Sequence, residues 1–306
     1  MKVFCLKPNE NWICDRIAEE FYQNFSHIST ESIFDCDAVW LLAGWCWRQV
    51  PVEILKSKKI VVTVHHIVPE KFNNNKLNDF LIRDQFVDAY HVPNDKTLSF
   101  ISQLTKKPIF NVPYWFDKEK WFPGDKGKAR ELLELPKEKF IIGSFQRDTE
   151  GSDLKTPKLE KGPDLFCDYV ESIKNKDIHI LLGGWRRQYV ISRLDHRKIN
   201  YTYFEMADIE KLRLMYCALD LYVISSRHEG GPQSALEASG MNVPIVSTDV
   251  GMVSKVLSPG CIFNKIPADF VPAPAQVNLA YEQALKFDVK SHRENYIKIF
   301  KSVLDE

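Results

Sequence analysis

Residues 221–240 read LYVISSRHEGGPQSALEASG, in which four apolar residues lead into a glycine-containing turn and then into a helical pattern. The first four residues predict a short buried strand. Gly230 and Gly231 permit a tight turn, and Pro232 suits the first turn of a helix, where its missing N–H costs nothing. We therefore predict a strand, a turn and a helix over Gln233–Gly240, with the turn at the carboxyl end of the strand.

The turn has the features of an anion-binding site. The backbone amides of Gln233, Ser234 and Ala235 open the predicted helix, where N–H groups lack intrahelical partners and can bind a diphosphate. Glu229 precedes the helix, and Glu237 lies one turn into it. The segment therefore predicts a site that combines amide donors with two carboxylates.

Short apolar runs and helical stretches alternate along the rest of the chain. Apolar strands joined by helices indicate parallel sheets covered on both faces, so the predicted fold class is α/β, with two Rossmann-like domains and an interdomain cleft that binds the ligand. The predicted strands are Lys2–Leu6, Ala38–Leu42, Ile60–Val64, Ala89–Val92, Ile109–Val112, Phe140–Gly143, Ile178–Leu182, Asn200–Phe204, Leu221–Ile224 and Pro244–Ser247. The predicted helices include Trp12–Asn24, Val52–Lys56, Asp95–Leu104, Lys128–Leu133, Gly162–Ile173, Asp208–Cys217 and Gln233–Gly240.

The predicted domain boundaries follow from a break in this alternation. Prolines and bulky aromatic residues interrupt the pattern over 111–124, so we place a first domain at 1–122 and a second at 123–290. Residues 291–306 are predicted to form a C-terminal helix. Ile297, Phe300 and Leu304 share one face of that helix, so we expect it to pack, with the first domain as one candidate surface.

Charge and composition narrow the class of protein. Lys plus Arg number 41 and Asp plus Glu number 41, so the 306-residue chain has no net charge, and a protein that grips nucleic acid through a global positive field is disfavoured. No run approaches the roughly 20 apolar residues of a membrane span, and the start of the chain does not resemble a signal peptide. Seven cysteines without a C-x-x-C pair fit a reducing compartment. We expect a cytoplasmic protein, with peripheral contact to a membrane left open.

Four ordered segments resemble one family of enzymes. The Glu229–Glu237 spacing, followed by 242–248 and Gly251, is similar to the E-x7-E region of the retaining glycosyltransferases of family 4, which have the GT-B fold. Upstream, 141–147, 161–164 and 181–184 resemble the strands, the Arg and Lys-Gly elements and the glycine turn of the same family. The resemblance covers residues 140 to 257. It implies that the second domain binds a nucleotide sugar and that the first domain faces the acceptor.

The resemblance also assigns roles to residues. Arg147 and Lys161 would hold the donor diphosphate and stabilise it as it leaves, since fixed cations lower the barrier for a step that builds negative charge. Glu229 would contact the transferred sugar, and His65 or His66 would approach that sugar from the first domain. These five are the predicted catalytic residues.

The remaining predicted residues would bind the donor. Glu237 would accept hydrogen bonds from the ribose hydroxyls. The turn and helix N-terminus formed by residues 230–235 would hold the diphosphate, and Gly183 would lie near it. Phe204, Glu205 and Met206 would flank the base. Besides Glu237, the predicted donor-binding residues are Gly230, Gly231, Pro232, Gln233, Ser234, Ala235, Gly183, Phe204, Glu205 and Met206.

The sequence therefore predicts a retaining glycosyltransferase that moves a sugar from a nucleotide diphosphate donor to the hydroxyl of a glycan, a lipid-linked acceptor or another acceptor. No cofactor and no metal are expected, because no carboxylate pair of the D-x-D type can be assigned to the donor site; neither stable membrane insertion nor a nucleic-acid partner is expected. Three alternatives stay open: a nucleotide-sugar epimerase or hydrolase, a non-catalytic nucleotide-sugar-binding protein, and a transferase that acts on DNA bases.

Overall fold

A computed structural model describes residues 1–11, 13–174 and 177–304. The chain divides into two compact units, one formed by Met1–Trp115 with Val289–Glu306 and the other by Phe116–Asp288. The predicted helix start at Trp12 and the last two residues of the predicted C-terminal helix lie outside the described residues. Each unit contains a parallel sheet with helices, which confirms the predicted fold class of two Rossmann-like α/β domains.

The first unit is built on a parallel sheet whose described strands follow chain order. They are β1 (Val3–Cys5), β2 (Ala38–Leu41), β3 (Lys59–Thr63), β4 (Ala89–Val92) and β5 (Ile109–Asn111). The helices of this unit are α1 (Ile13–Asn24), α2 (Val52–Ser57), α3 (Asn74–Asp84), α4 (Asp95–Ile101) and α11 (Val289–Leu304). All residues of β2 and β4 are buried, as expected for central strands of a parallel sheet covered on both faces.

Helix α11 packs on the first unit through aromatic side chains. The ring centroids of Trp115 and Tyr296 lie 4.6 Å apart, and those of Trp40 and Phe300 lie 5.6 Å apart. Tyr296 also donates a hydrogen bond of 3.0 Å to the Pro113 carbonyl. These contacts explain why the end of the chain belongs to the unit that contains its beginning.

His91 is a fully buried histidine in β4. Its Nε2 lies 2.7 Å from the Val112 carbonyl, which requires an N–H at that position, and its Nδ1 lies 3.0 Å from Thr63 Oγ1. The Thr63 hydroxyl also accepts the indole N–H of Trp40 at 2.9 Å. Burial holds the pKa of His91 at about 4, below its ordinary value of 6.5.

The pKa of His91 predicts acid sensitivity. The unfolded chain binds a proton near pH 6.5 and the folded chain only near pH 4, so the stabilising contribution is complete above pH 6.5 and is lost as pH falls through this window. We expect the free energy of unfolding of the first unit to fall by about 3 kcal/mol from this group between pH 7.5 and pH 4. Urea titrations followed by tryptophan fluorescence would measure it. His91→Gln should lose this part of the pH dependence, and the exposed control His27→Gln should keep it; equal pH dependence in both variants would refute the assignment.

The second unit contains a parallel sheet whose described strands have the order β11-β10-β9-β6-β7-β8. These strands are β6 (Phe140–Phe145), β7 (Ile178–Gly183), β8 (Tyr201–Phe204), β9 (Leu221–Ile224), β10 (Ile245–Thr248) and β11 (Ile262–Phe263). Its helices are α5 (Lys126–Leu132), α6 (Pro163–Ser172), α7 (Gln188–Arg197), α8 (Ile209–Cys217), α9 (Gln233–Gly240) and α10 (Pro274–Leu285). In this order β6 and β7 lie between β9 and β8. Because all four strands are parallel, the loops that follow them lie at the same edge of the sheet.

The chain crosses between the units at 115/116 rather than at the expected 122/123. The backbone N–H of Phe116 donates to the Phe287 carbonyl at 3.0 Å, and a β-bridge joins Phe116 to Asp288. The ring of Phe116 also lies against Gly240, where a Cβ atom would come within 2.5 Å of it. These contacts tie Phe116 to the second unit.

Candidate functional site

The turn after β9 is held by contacts from the end of β10 and from the loop that follows it. The Thr248 hydroxyl, at the end of β10, donates to the Ser226 carbonyl. Gly251, with φ of 56°, lies so close to Gly230 that a Cβ atom at Gly251 would approach the Gly230 carbonyl to 2.6 Å. The position of the turn therefore depends on a glycine that the sequence places 21 residues downstream.

Gly162 also packs closely against the residues that begin the turn. Its φ is 60°, and a Cβ atom there would lie 1.8 Å from the Ser225 carbonyl oxygen, so only glycine fits. The amides of Arg227 and His228 then donate to the Glu160 carbonyl at 2.8 and 3.1 Å. This close approach brings Lys161, which precedes the glycine, next to the turn.

Lys161 and Glu229 form an ion pair. Lys161 Nζ lies 2.6 Å from Glu229 Oε1, and the side chains are 21% and 13% exposed. Ser226 Oγ donates to the same carboxylate oxygen at 3.0 Å, and Gln146 Nε2 donates to the Lys161 carbonyl at 2.7 Å. The structure thus joins two predicted site residues that are 68 positions apart in the chain.

Arg147 lies in the loop after β6 and belongs to a group of cations. Its Nε donates to the Thr149 carbonyl at 2.7 Å, and its guanidinium carbon lies 5.0 Å from the centre of the Trp185 ring. Burial, followed by the charge of Arg186, holds the pKa of Arg147 below its ordinary value. A backbone carbonyl and an aromatic ring therefore orient the Arg147 guanidinium.

Lys158 adds a cation that the sequence reasoning missed. Burial, followed by the charges of Lys161 and Arg147, holds the pKa of Lys158 below its ordinary value. Its Nζ lies 3.8 Å from Glu160 Oε1. A region that holds several cations close together would stabilise a bound anion. Its position, three residues before Lys161, was the available sequence signal.

The N-terminus of α9 differs in one respect from the expectation. The Ala235 amide donates to the Pro232 carbonyl at 2.8 Å, so the expectation that it is an orphan donor is wrong. The reason is that the first turn closes tightly on the carbonyl of the residue before the helix. The predicted anion contact at this helix therefore depends on the amides of Gln233 and Ser234, next to Gly231.

Glu237 is buried within the second unit. Its side chain is 3% exposed, and its Oε2 accepts a hydrogen bond of 2.9 Å from the Tyr216 hydroxyl. Tyr216 packs edge-on against Phe145, with ring centroids 4.9 Å apart. The structure therefore gives Glu237 a tyrosine partner that sequence reasoning missed, and its contact with a ribose stays a prediction.

The other predicted donor residues follow β7 and β8. Gly183 ends β7, and a Cβ atom there would lie 2.8 Å from Met215. Phe204 ends β8 with Lys211 Nζ 4.0 Å from its ring centre, and Glu205 and Met206 follow as exposed residues. Since β6, β7, β8 and β9 are parallel neighbours or near-neighbours, their carboxyl ends bring all these loops to the same edge of one sheet.

A buried ion pair lies beneath this edge. Arg187 and Asp148 are fully buried, with Arg187 Nε 3.0 Å from Asp148 Oδ2. Arg187 also donates to the Gly183 carbonyl at 2.7 Å and to Ser144 Oγ at 3.2 Å. Burial raises the pKa of Asp148. The pair therefore connects the segment that carries Arg147 with the loop after β7. The sequence signal for this ion pair was the position of Arg187 soon after the glycine pair Gly183-Gly184.

His65 lies in the first unit, after β3. Its Nε2 is 2.8 Å from the Leu42 carbonyl and 3.5 Å from Cys14 Sγ, and its Nδ1 contacts the Tyr114 hydroxyl. The carbonyl requires an N–H on Nε2, so the ring is held by protein groups on both nitrogens. His66 follows it as a partly buried residue. The approach of either histidine to a donor sugar stays a prediction.

The described ranges contain no group of three or more His, Cys, Asp and Glu side chains that could hold a metal ion. All seven cysteines are buried and unpaired by disulfides. None of the helices in these ranges has the length and apolar character of a membrane span.

The sequence of the second unit matches a known family. Residues 153–277 match the family described as "Glycosyl transferases group 1". The matched region contains Lys161, Gly183, Glu229 and Glu237, while Arg147 and the two histidines lie before it. Residues 153–277 are therefore similar to a Glycosyl transferases group 1 domain.

A curated protein and solved structures are also similar. The chain is 27% identical over 191 residues to "Lipopolysaccharide core biosynthesis mannosyltransferase LpsB" of Rhizobium meliloti, covering 59% of this chain and 50% of that protein. It thus spans about half the length of that relative. Anabaena HepE, solved in complex with UDP and glucose, has a TM-score of 0.75 at 12% identity, with 98% of this chain and 99% of that chain covered. Sucrose-phosphate synthase from Thermosynechococcus elongatus has a TM-score of 0.71 at 14% identity, with 94% and 76% covered.

Proposed function

We propose that this chain, whose second unit contains a region similar to a Glycosyl transferases group 1 domain, is a retaining glycosyltransferase of nucleotide diphosphate sugars. One observation carries the proposal: the Lys161–Glu229 pair lies at the carboxyl edge of the sheet, next to Arg147 and Lys158. A carboxylate beside clustered cations suits a ligand that joins a hydroxyl-rich sugar to a diphosphate.

The cations would act on the leaving group. Cleavage of the bond between the sugar and the diphosphate leaves negative charge on the diphosphate, and Arg147, Lys158 and Lys161 would stabilise that charge. They are held by protein contacts in advance, so little reorganisation is required during the reaction. We propose that these cations, with the amides of Gln233 and Ser234, serve where other enzymes use a metal ion.

The carboxylates would orient the donor. Glu229 would accept hydrogen bonds from the transferred sugar while Lys161 and Ser226 keep it in place. Glu237 would accept from the ribose, with Tyr216 fixing its orientation. We propose that the acceptor hydroxyl attacks the face that the diphosphate leaves and that a diphosphate oxygen takes the acceptor proton, which retains the configuration.

The comparisons support a hexose as the transferred sugar. The Rhizobium meliloti relative is named a mannosyltransferase, and the Anabaena structure contains UDP and glucose. We propose a hexosyl donor, an acceptor that is a sugar, a lipid-linked glycan or another hydroxyl compound, and action in the cytoplasm or at a membrane surface.

The test is product analysis with a panel of UDP, GDP, ADP and dTDP hexoses, with and without hydroxyl acceptors, in the presence of EDTA. We expect transfer only when an acceptor is present, and NMR of the product should show the anomeric configuration of the donor. Free hexose or an epimer formed at the same rate without acceptor would instead indicate a hydrolase or an epimerase. Donor binding without turnover across the panel would indicate a binding protein. Salt-dependent binding to duplex DNA would revive the base-modifying alternative.

A further inference from the structure

Trp45 is an exposed tryptophan of the first unit that lies between buried residues. It lies in the short 3-10 helix Gly44–Gln49 after β2, and its side chain is 53% exposed, while its neighbours Cys46 and Trp47 are 3% and 7% exposed. An exposed indole forgoes the free energy that burial of a large apolar side chain would supply. Burial in the core of the unit therefore does not account for the placement of Trp45.

Hydrogen bonds to other parts of the first unit fix this segment. Arg83 Nη1 donates to the Gly44 carbonyl at 3.1 Å, and the His65 ring binds the Leu42 carbonyl at 2.8 Å. Trp47 Nε1 donates to Asp79 at 3.3 Å. The backbone that carries Trp45 is thus held at several points, which limits the conformational entropy lost when a ligand binds.

Two side chains hold the indole itself. Trp45 Nε1 donates to Glu10 Oε1 at 2.9 Å, and its ring centroid lies 5.7 Å from that of His65. Glu10 belongs to the loop after β1, where the amides of Asn9 and Glu10 both donate to the Asp15 carboxylate at 2.8 Å. The group of Glu10, Trp45 and His65, here called the tryptophan platform, therefore joins the loops after β1, β2 and β3, at the carboxyl edge where parallel sheets bind ligands.

The charge around the platform favours an uncharged ligand. Glu10 and Asp15 contribute two carboxylates. Burial is the main reason why the pKa values of Cys14 and Cys46 are raised, and these two carboxylates raise them further. Because the Glu10 carboxylate lies against the Trp45 indole, a phosphate or carboxylate group placed on that side of the indole would be repelled. The C–H groups on the face of a pyranose carry slight positive charge and pack well on an indole face, and the sugar hydroxyls can donate to Glu10.

We infer that the tryptophan platform binds an uncharged saccharide, stacked on Trp45 and hydrogen-bonded to Glu10. This binding does not depend on the proposed transferase activity; only the role of the saccharide as the acceptor rests on that proposed function.

The test is saturation-transfer NMR and calorimetry on the full chain with maltotriose, α-mannotriose and, as an anionic counterpart, mannose 6-phosphate. We expect saccharide signals concentrated on one ring face, at least tenfold weaker binding in Trp45→Ala, which corresponds to about 1.4 kcal/mol, and intermediate binding in Trp45→Phe. Glu10→Gln should weaken the neutral saccharides and narrow the difference from mannose 6-phosphate.

Phe34→Ala is the matched control, because Phe34 is 72% exposed in the same unit but precedes β2 instead of following it. It should bind saccharides like the wild type. Unchanged binding in Trp45→Ala, equal losses in both variants, or no binding of either trisaccharide would overturn the inference. Thermal stabilisation by nucleotide sugars separates the two proposals: if it persists while saccharide binding fails, only this inference is lost, and if it fails while saccharides bind, only the transferase is lost.

Discussion

Lys161→Met is expected to lower kcat/KM for the nucleotide sugar by about 100- to 1000-fold, the range seen when one fixed electrostatic group is removed from a transition state. Lys161 Nζ is held 2.6 Å from Glu229, and its neighbour Gly162 packs against the Ser225 carbonyl, so its charge has a fixed position beside the turn. If Lys161 stabilises the leaving diphosphate, the loss should fall mainly on kcat.

The experiment is steady-state kinetics with the donor found in the panel. Lys137→Met is the matched control, because Lys137 is a solvent-exposed lysine of the same unit whose ion pair with Glu131 spans 3.9 Å. Lys161→Arg keeps the charge but not the geometry and should fall between the two. Adding Glu229→Gln to Lys161→Met should cost less than the two separate effects combined, since paired residues are not additive. Wild-type kinetics for Lys161→Met would remove Lys161 from the reaction.

Arg187→Met is expected to destabilise the second unit by about 3–5 kcal/mol, because it leaves Asp148 buried without its cation. Arg187 is fully buried and has hydrogen bonds to Asp148, Gly183 and Ser144, which no methionine could replace. Since burial already raises the pKa of Asp148, the variant should raise it further. A raised carboxyl pKa means that the folded state binds more protons, so the deficit should grow as pH rises from 5 to 8.

Urea unfolding at several pH values would measure this effect. The double variant Asp148→Asn with Arg187→Met should recover part of the stability because no charge is left buried. Lys139→Met is the matched control: its ion pair with Asp177 lies at the surface, so about 1 kcal/mol or less is expected. An Arg187→Met variant no less stable than this control would show that the buried pair does not hold the unit together.

The local structure around the turn after β9 could be predicted well from sequence. The apolar run of β9 and the helix Gln233–Gly240 have the bounds that the pattern predicts. Local sequence signals fail for α7, which the pattern does not predict. The residue before this helix provides no side-chain cap. The Tyr189 and Val190 amides donate instead to the carboxylate of Asp148, at 3.4 Å. The capping residue is 41 positions away from Tyr189, so no window of sequence around α7 contains it.

The pattern also fails to predict helices α3 and α10 and strand β11. The reasons differ between α3 and β11. The start of α3 is rich in asparagine, which resembles a loop, although Asn73 in fact caps the helix by accepting from Lys76 N at 3.2 Å. Strand β11 has two residues and exists only because it pairs with β10. Its pairing is a property of the sheet and leaves no periodic pattern in the sequence.

By itself the sequence determined the alternation of buried strands and helices, the glycine turn with its proline, and the residue types of the proposed diphosphate site, since these depend on neighbours within one element. Only the tertiary structure decided which distant charges meet: Lys161 reaches Glu229 because Gly162 packs against the Ser225 carbonyl, and Arg187 is buried because Asp148 lies on the adjacent strand's loop. Electrostatic effects act through space at a few ångströms, and those distances are set by sheet order, not by chain order.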